Sequence, residues 1–462
     1  MTSIIFYDTE TTDKLINFAQ IIQCGSILTN ELFTPLDQQD VSCGPLPWII
    51  PKAGAMLTNK KTNLLKSNTS HFKMMCDIHY KWREWTLEQP GIFVTYNGHA
   101  FDEELIRRQF YWNLLDIYLT NTNDNGRLDL FIMFQNLVAF FPDALNIPLF
   151  EGGPSISMKL EDIAKVNGVQ TENAHDAIAD CHFMISLIEK INSKYPEWVT
   201  YILKTATKTG LKQAINCKTF LCLGEYFKRE IFRYPVVCCG ADASRPNEIV
   251  FFDLSYDPDE IFDLEYSEIL KMLKTNGKNE PLKKYKINKS IPICPFEMIE
   301  DKNIFDVDPE LLLQRAKLVK ENQEFFEKVS QAMQDRIFNF PEPEYVEQKI
   351  YSGFPDNDDA ELIKDFHRID DIDYKIKIAM NLNDERFKML AERLICQLYP
   401  DRAPMDMMQR YNDFLDERLN TAGPWGSTEK ALEEIEKFNK TEDVQEKTIL
   451  EATKKFIIER SA

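Results

Sequence analysis

Apolar and polar positions along roughly the first 195 residues alternate in short segments, a pattern typical of a mixed α/β domain. Apolar runs predict strands at 3–8, 19–29 and 91–97. Amphipathic stretches predict helices at 70–86, 103–112, 127–141, 160–167 and 177–192. Gly and Pro are dense between 147 and 154, so this segment is predicted to be a loop.

From about residue 200 to 350 the apolar runs become shorter and turn residues separate them, which predicts a smaller β-rich domain. Its strands are predicted at 219–223, 235–239 and 249–254, and a helix follows over 309–337. The Pro-rich segment 340–344 is typical of a connector. The remainder is dense in Glu, Lys, Leu and Asp, which predicts a helical bundle. We therefore expect domains at 1–196, 197–350 and 355–462.

The composition is ordinary for a globular chain of two or three domains: 462 residues, 44% hydrophobic and 28% charged. The longest apolar stretches, such as 131–141, are too short to span a bilayer, and no secretory signal is visible. Ten cysteines without regular spacing favour reduced thiols over a disulfide framework. We expect a cytoplasmic protein with no membrane partner.

The formal net charge of −20 argues against one functional class, a passive nucleic-acid coat, because such proteins are normally basic. It is compatible with an enzyme that has a local basic channel. Carboxylates that bind metal ions also add to the acidic total while the bound ions neutralise them. Global charge therefore decides little else.

The first predicted strand ends in two carboxylates, Asp8 and Glu10, followed by small hydroxyl residues. Residues i and i+2 of a strand project to the same side, so these two side chains would lie together. They would repel each other unless a cation lies between them or one of them is protonated. Mg²⁺ takes hard oxygen ligands and often lies between carboxylates and a substrate phosphate, so the strand predicts a metal site.

Two further aspartates are candidates for the same site. Asp102 follows a predicted strand and a tight loop and opens a helix, where a role as the helix N-cap is at least as well supported. Asp180 shares the apolar stripe of another helix with Ala177 and Met184. A carboxylate on such a stripe is unfavourable unless it is paired or binds a metal ion.

His175 and Lys159 complete the candidate chemistry. His175 precedes the helix of Asp180 by about a turn, so it would lie on a loop beside the same face. The alternative for an isolated histidine is a surface or capping role. Lys159 precedes another helix and could hold a phosphate as a point charge, and the alternative is a solvated surface lysine.

Each signal is weak alone, but together four carboxylates and a histidine follow one another in a specific order. The chain resembles the DEDDh 3′→5′ exonucleases in three motifs, Asp8-x-Glu10, Asn97…Phe101-Asp102 and His175-x-x-x-x-Asp180. It resembles the exodeoxyribonuclease I family in particular, in the stretches 101–113 and 173–180. Ile287-Asn288-Lys289…Pro292 and Tyr351-Ser352-Gly353-Phe354 are similar to segments of that family outside the nuclease domain.

This resemblance implies a ribonuclease-H-like α/β exonuclease domain with a mixed five-stranded sheet, then an SH3-like β-rich domain and an all-α C-terminal domain. It implies 3′→5′ hydrolysis of single-stranded DNA to 5′-mononucleotides, in DNA repair and recombination. Two Mg²⁺ ions, with Mn²⁺ as the alternative, would be held by Asp8, Glu10, Asp102 and Asp180. His175 would be the general base. Substrate contacts would come from Glu10, Lys159, Asn97, Arg107 and Tyr118.

The resemblance also implies a partner and an oligomeric state. The family docks the acidic C-terminal tail of single-strand DNA-binding protein, for which the candidate cations are Arg315, Lys317 and Lys320, and a monomer is expected. The run 283–289 interleaves four lysines with a tyrosine, as single-strand binders do. The alternative for that run is a solvated strand with an exposed lysine edge.

Two other functions remain open at this point. A ribonuclease of the same superfamily would usually be a small single domain, so the roughly 260 additional residues weigh against it. A catalytically inactive scaffold that binds single strands would be expected to lack a catalytic carboxylate. All four carboxylates are present here, together with the histidine.

Overall fold

The computed structural model describes residues 2–150, 153–171, 175–216, 219–275, 280–302, 304–337 and 341–461. Asn173 and Ala174 of the third motif, residues 151–152 of the predicted loop, and Phe340 of the connector lie outside them. The described residues form two five-stranded sheets and a helical C-terminal region.

The first sheet contains β1 (Ser3–Thr11), β2 (Ile21–Thr29), β3 (Pro35–Ser42), β4 (Gly91–Thr95) and β5 (Gly126–Asp129). Their order is β3-β2-β1-β4-β5. The pairs β1–β2 and β2–β3 are antiparallel, whereas β1–β4 and β4–β5 are parallel. This is the mixed five-stranded sheet that the resemblance implies, with β1 at its centre.

Helices cover both faces of this sheet: α1 (Ala53–Asn59), α2 (His71–Trp85), α3 (Asp102–Trp112), α4 (Leu130–Phe140), α5 (Leu160–Val166) and α6 (Ala177–Lys194). Side-chain alternation along β1 places Ile4 and Phe6 in one core with α4 and α6. It places Ile5 and Tyr7 in another core with α2 and α3. Both faces of β1 are buried by apolar side chains from Ile4 to Tyr7, and the carboxylates of the strand follow this segment.

Most predicted helices of this region are confirmed to within two residues at each end. The helix predicted over 127–141 is wrong at its start, because residues 126–129 form β5 and the helix begins at Leu130. The carboxylate of Asp129 accepts a hydrogen bond from the Phe131 amide at 3.1 Å, so the strand passes directly into a capped helix. β3 has no counterpart among the predicted strands, because this edge strand is mostly polar and exposed.

Two helices, α7 (Pro196–Thr205) and α8 (Lys208–Ile215), lead into the second sheet. That sheet contains β6 (Leu221–Phe227), β7 (Glu230–Ala241), β8 (Glu248–Asp253), β9 (Leu282–Lys286) and β10 (Ile293–Pro295). Its order is β10-β6-β7-β8-β9, and the described pairings are all antiparallel. The small β-rich region is confirmed, and its bounds of 197–350 stay a prediction.

Four helices accompany the second sheet: α9 (Pro258–Phe262), α10 (Tyr266–Lys274), α11 (Pro309–Glu321) and α12 (Gln323–Gln334). The single helix predicted over 309–337 is therefore wrong. Asn322 divides it, because its side-chain oxygen accepts a hydrogen bond from the Phe325 amide at 2.8 Å and caps a new helix.

The C-terminal region is the predicted helical bundle: α13 (Asn357–Arg368), α14 (Ile372–Asn381), α15 (Glu385–Leu398), α16 (Met405–Asn420), α17 (Thr428–Phe438) and α18 (Val444–Ser461). Its core also includes Trp48 and Trp112 of the first region. Short 3₁₀ helices lie at Thr62–Lys66, Leu119–Asn121, Phe296–Met298 and Val346–Tyr351. Among the described helices, none has the length and apolar character that a membrane span requires.

The two sheets share one hydrophobic core. Helix α4 contacts strands of both, and Phe6 of the first sheet belongs to the same buried cluster as Val237 and Phe252 of the second. The side-chain amide of Asn136 on α4 donates to the carbonyls of Cys222 (2.9 Å) and Pro292 (3.0 Å). The second sheet therefore packs, through α4, against one face of the first sheet.

Candidate active site

Three carboxylates meet at the end of β1. Asp8 and Glu10 lie on the strand, and Asp180 lies in the first turn of α6. One oxygen from each of the three carboxylates lies within 4.8 Å of the other two. We call these three residues the carboxylate cluster.

Gly25 allows α6 to approach the strand that carries the cluster. It is the partner of Asp8 in the β1–β2 pairing. A Cβ atom at Gly25 would lie 2.4 Å from the backbone nitrogen of Ile178 in the first turn of α6. This contact is too short to form, so any other residue at position 25 would push α6 away from the sheet. The absence of a side chain at Gly25 thus permits the spacing between Asp8 and Asp180.

The cluster carries negative charge that its surroundings do not balance. Burial, followed by the nearby Asp102 and Asp180 carboxylates, raises the pKa of Asp8 well above its usual range. Burial and Asp180 raise the pKa of Glu10 to about 8, and burial raises the pKa of Asp180 to about 7. Hard oxygen ligands that repel one another are the donor set that a divalent cation stabilises, so these residues fit a divalent metal ion.

Asp102 lies beside the cluster but is not one of the three residues that converge. It is the first residue of α3, and Phe101 occupies the N-cap position, so the simple N-cap alternative is wrong. Its carboxylate accepts a hydrogen bond from the Thr9 hydroxyl. Burial raises the pKa of Asp102 to about 6 despite this hydrogen bond. Of the neighbouring carboxylates, Asp102 raises the pKa of Asp8 most, which places it at the edge of the site.

His175 lies at the entrance to α6 with its backbone in the left-handed region (φ 64°). A backbone hydrogen bond from His175 lowers the pKa of Asp180, against the effect of burial. The imidazole Nε2 is 3.6 Å from Oε2 of Glu161 on α5, and the side chain is 43% exposed. The histidine is therefore next to the cluster in the fold, with its ring directed to Glu161.

The other predicted substrate residues do not join the cluster. Asn97 is exposed in the loop after β4 with φ 63°, and Lys159 is exposed at the N-cap of α5. Arg107 is buried, with Nε 2.9 Å from Oε1 of Glu103 and its guanidinium 5.3 Å from the ring centre of Tyr118. Arg107 thus makes internal contacts, whereas Asn97 and Lys159 face solvent.

Two domain models of one protein family match the chain beyond the first sheet. Residues 220–335 match the exonuclease I SH3-like domain, and residues 344–460 match the exonuclease I C-terminal domain. The two segments together make up half of the chain and follow the same order as the second sheet and the helical region. The chain belongs to the exonuclease I family.

Curated relatives of the family agree with this assignment. Exodeoxyribonuclease I of Escherichia coli is 26% identical over 387 residues, covering 79% of this chain and 78% of the relative. Exodeoxyribonuclease I of Buchnera aphidicola from Schizaphis graminum is 24% identical over 473 residues, covering 99% of this chain and 95% of the relative.

Solved structures of exonuclease I share the fold over the whole chain. E. coli exonuclease I in complex with a dA16 oligonucleotide has a TM-score of 0.84 at 21% identity, with both chains fully covered. The Methylocaldum szegediense enzyme has a TM-score of 0.82 at 21% identity, also with both chains fully covered. Another E. coli complex with single-stranded DNA is a zinc-bound form, with a TM-score of 0.82 at 20% identity.

One exonuclease I segment, 287–292, holds the loop that precedes Asp102. The Ser290 hydroxyl lies 3.1 Å from Nε2 of His99 in that loop and accepts a hydrogen bond from the Asp129 amide at 2.9 Å. The Lys289 ammonium donates to the carbonyl of His99 at 2.9 Å. The segment thus links the SH3-like region to the loop of the second motif.

The basic run 283–289 is largely engaged in contacts within the SH3-like region and with the first sheet. Lys283 is buried, with its ammonium 3.8 Å from Asp253. Lys284 donates to a backbone carbonyl, as Lys289 does. Lys286 is exposed. Binding of single strands by this run stays a prediction, with Lys286 and Lys289 as its exposed cations.

Glu103, the buried acid next to Asp102, was not among the predicted site residues. Glu103 accepts hydrogen bonds from the Tyr7 hydroxyl (2.8 Å), the Thr120 hydroxyl (2.6 Å), Arg107 and Arg127 (both 2.9 Å). Burial alone would raise the pKa of Glu103, but Arg127 and Arg107 lower it to about 2. The Glu103/Arg107 spacing of i, i+4 is the one sequence signal for this network.

Lys61, which lies beside the cluster, was also not among the predicted site residues. The Lys61 ammonium is 2.5 Å from Oδ2 of Asp176. Its positive charge lowers the pKa of Glu10, against the effect of burial and Asp180. No local pattern distinguishes this lysine, because its neighbours in the fold are distant in sequence.

Proposed function

We propose that this protein is an exodeoxyribonuclease I that hydrolyses single-stranded DNA in the 3′ to 5′ direction and releases 5′-mononucleotides in repair and recombination. The observation that carries the proposal is the carboxylate cluster of Asp8, Glu10 and Asp180, in a chain of the exonuclease I family. Its relatives are named exodeoxyribonuclease I, and its structural neighbours include complexes with oligonucleotides.

The cluster residues would hold two Mg²⁺ ions, with Mn²⁺ as an alternative, and Asp102 would assist through water. When bound, the ions would lower the pKa of the attacking water and offset charge on the leaving 3′ oxygen. Asp8 and Glu10 would fix the position of the terminal phosphodiester relative to β1. Asp180 would tie the same position to α6. Partial burial of the site strengthens these electrostatic interactions, because the local dielectric constant is lower than that of water.

His175 would accept the proton of the attacking water at a ring nitrogen, as a general base. We expect His175→Ala to lower kcat by about 10²- to 10⁴-fold and to leave metal binding and DNA binding nearly unchanged. Single-turnover hydrolysis and equilibrium binding in Ca²⁺ would measure the two separately. A variant that cleaves at the wild-type rate would remove His175 from this role.

DNA contacts are proposed for Asn97 and Lys159, which are exposed near the second and third motifs, and for Tyr118 together with Arg107, whose buried guanidinium lies 5.3 Å from the centre of the Tyr118 ring. The Tyr118 ring lies 5.6 Å from Phe354, so this aromatic pair could support a stacked base. The SH3-like and helical regions would enclose the single-stranded DNA.

A time course on single-stranded DNA labelled at either end, with and without Mg²⁺, tests the function. A 3′-labelled strand should release labelled mononucleotide at once, while a 5′-labelled strand should shorten stepwise, and neither should change without metal. Faster degradation of a matched RNA would favour the ribonuclease alternative. Tight single-strand binding without hydrolysis in Mg²⁺ or Mn²⁺ would favour the inactive scaffold.

A protein partner and a monomeric state also belong to the proposal. The acidic C-terminal tail of single-strand DNA-binding protein would dock on cations of α11, where Lys317 is 73% exposed and Arg315 and Lys320 donate to backbone carbonyls. Binding of a labelled acidic peptide by wild type and Lys317→Glu, together with sedimentation of the free protein, tests both points. The cytoplasm is the proposed compartment, where the buried free cysteines would stay reduced.

A further inference from the structure

Lys61 connects two parts of the chain that carry the cluster. Its backbone amide donates to the side chain of Asn59 at 3.0 Å, and Asn59 donates to the carbonyl of Thr11 at the end of β1, also at 3.0 Å. Its ammonium reaches across to Asp176, and the Lys61 side chain is only 17% exposed. The lysine is thus anchored to the strand of Glu10 and paired with the residue that opens α6.

Asp176 is the residue through which this contact reaches α6. It follows His175 directly, and its carboxylate caps the helix by accepting a hydrogen bond from the Ala179 amide at 3.4 Å. The side-chain amide of Gln23 also donates to Asp176, at 3.4 Å. A shift of Asp176 would therefore move His175 on one side and Asp180 on the other.

Gln23 shows that this contact is built into the sheet. It is the partner of Glu10 in the β1–β2 pairing and is 5% exposed. Its amide nitrogen donates to two carboxylates, Asp40 (2.9 Å) and Asp176, which fixes the orientation of the amide. The start of α6 is thus attached to β1 through Lys61 and to β2 through Gln23.

We propose that Lys61 is a positioning residue for the hydrolysis: through Asp176 it fixes the start of α6, and its positive charge offsets part of the repulsion within the carboxylate cluster. This inference rests on the proposed exonuclease function. The position of the ammonium supports this charge effect, because it lies beside Asp176, which also accepts from the amide of Gln23, the pairing partner of Glu10. Lys61 acts through Asp176 and is not itself a catalytic residue.

The test compares Lys61→Ala and Lys61→Arg with Lys60→Ala as a matched control. Lys60 is exposed and adjacent, and its loss changes the net charge equally. We expect Lys61→Ala to lower kcat on a single-stranded oligonucleotide by about 10- to 100-fold, because small displacements at a reacting centre are costly. KM should stay within about 2-fold, and Lys61→Arg should recover most of the rate because it keeps the ion pair.

Metal affinity gives a readout that a purely structural role would not move in this direction. Removing a cation beside the cluster should tighten Mg²⁺ or Mn²⁺ binding to the DNA-free protein by about 3- to 10-fold. Calorimetric titration of wild type, Lys61→Ala and Lys60→Ala measures this change. A mere loss of structure at the start of α6 would instead weaken metal binding.

The outcomes separate this inference from the proposed function. A wild-type protein that does not degrade DNA would refute the exonuclease, and the metal titration would still decide the role of Lys61. An active wild type with an unchanged kcat in Lys61→Ala would refute the inference alone. A rise in KM with kcat unchanged would also refute it and indicate a DNA contact. If Lys61→Ala does not fold, Lys61→Gln and Asp176→Asn carry the same comparison.

Discussion

Asp102 and Glu103 are consecutive residues at the start of α3, yet their carboxylates have opposite electrostatic surroundings. Glu103 receives two guanidinium groups, from Arg107 and Arg127, and two hydroxyl groups, and its pKa is lowered to about 2. Asp102 receives the Thr9 hydroxyl and lies near other acids, and burial raises its pKa to about 6.

The difference distinguishes acids that stabilise the fold from acids that are candidate metal ligands. A buried carboxylate whose charge is matched by the protein needs no further ligand, and Glu103 links α3 to β5 through its ion pair with Arg127. The carboxylates of Asp8, Glu10 and Asp180 lack such a match and repel one another. These three carboxylates fit a divalent cation, which is why they form the candidate active site.

The largest effect is expected from a substitution within the carboxylate cluster. Asp8→Asn should lower mononucleotide release in Mg²⁺ by about 10³-fold or more, because it removes one of the three carboxylates that would hold the metal. The metal-free variant should melt at a higher temperature than wild type, since one repelling charge is gone. Asp401→Asn, at an exposed carboxylate of the helical region, should change neither quantity. Wild-type turnover in Asp8→Asn would contradict the metal site.

The second largest effect is expected from a substitution of Glu103, the acid whose charge is balanced by two arginines. Glu103→Gln should lower the free energy of unfolding by about 3–5 kcal/mol, because the buried Arg107 and the half-buried Arg127 would both lose their counter-charge. Urea denaturation in the absence of metal measures it. Glu104→Gln, one residue further on and half-buried, should cost less than about 1 kcal/mol. Equal losses in the two variants would show that Glu103 is no more important to the fold than its neighbour.

The smallest expected effect is a pH dependence of opposite sign at the two places. In the cluster the folded pKa values, about 7 for Asp180 and about 8 for Glu10, lie above the ordinary values of 3.8 and 4.5. The folded protein then binds more protons than the unfolded chain, so the cluster's contribution to stability is present at low pH and lost as pH rises through those values. For Glu103 the contribution is lost as pH falls from 4.5 towards about 2.

Metal-free wild type should therefore lose about 1 kcal/mol or more of unfolding free energy, relative to Asp180→Asn, between about pH 5.5 and 8.5. The difference between the two proteins removes the effect of histidines that they share, such as the buried His99. Saturating Mg²⁺ should abolish the decline, because the ion favours the ionised carboxylates. A flat difference in the absence of metal would mean that the cluster acids are already balanced.

Much of the site could be predicted from sequence because its signals are local. Asp8 and Glu10 lie two residues apart at the end of an apolar strand, and Asp180 interrupts an apolar helical stripe. Tertiary partners leave no such local trace. Lys61 and Gln23 meet Asp176 across 115 and 153 residues, so no spacing could have indicated them.

The errors in the fold have similar causes. β3 is held by its pairing with β2 and has too few apolar positions to be detected. β5 passes into α4 without a turn residue, so the apolar run of the helix concealed it. Asn322 was a visible signal, because an Asn within an amphipathic stretch is a common helix cap.

Helix α4, which lies between the two sheets, has a consequence for anyone who would shorten this protein. A fragment that ends near residue 196 would retain every candidate catalytic side chain, yet it would expose the side of α4 that packs on β6 and leave the amide of Asn136 without its two carbonyl acceptors. The exonuclease region is therefore not expected to fold stably without the SH3-like region. Fusions and tags belong beyond the last helix, where neither sheet loses its support.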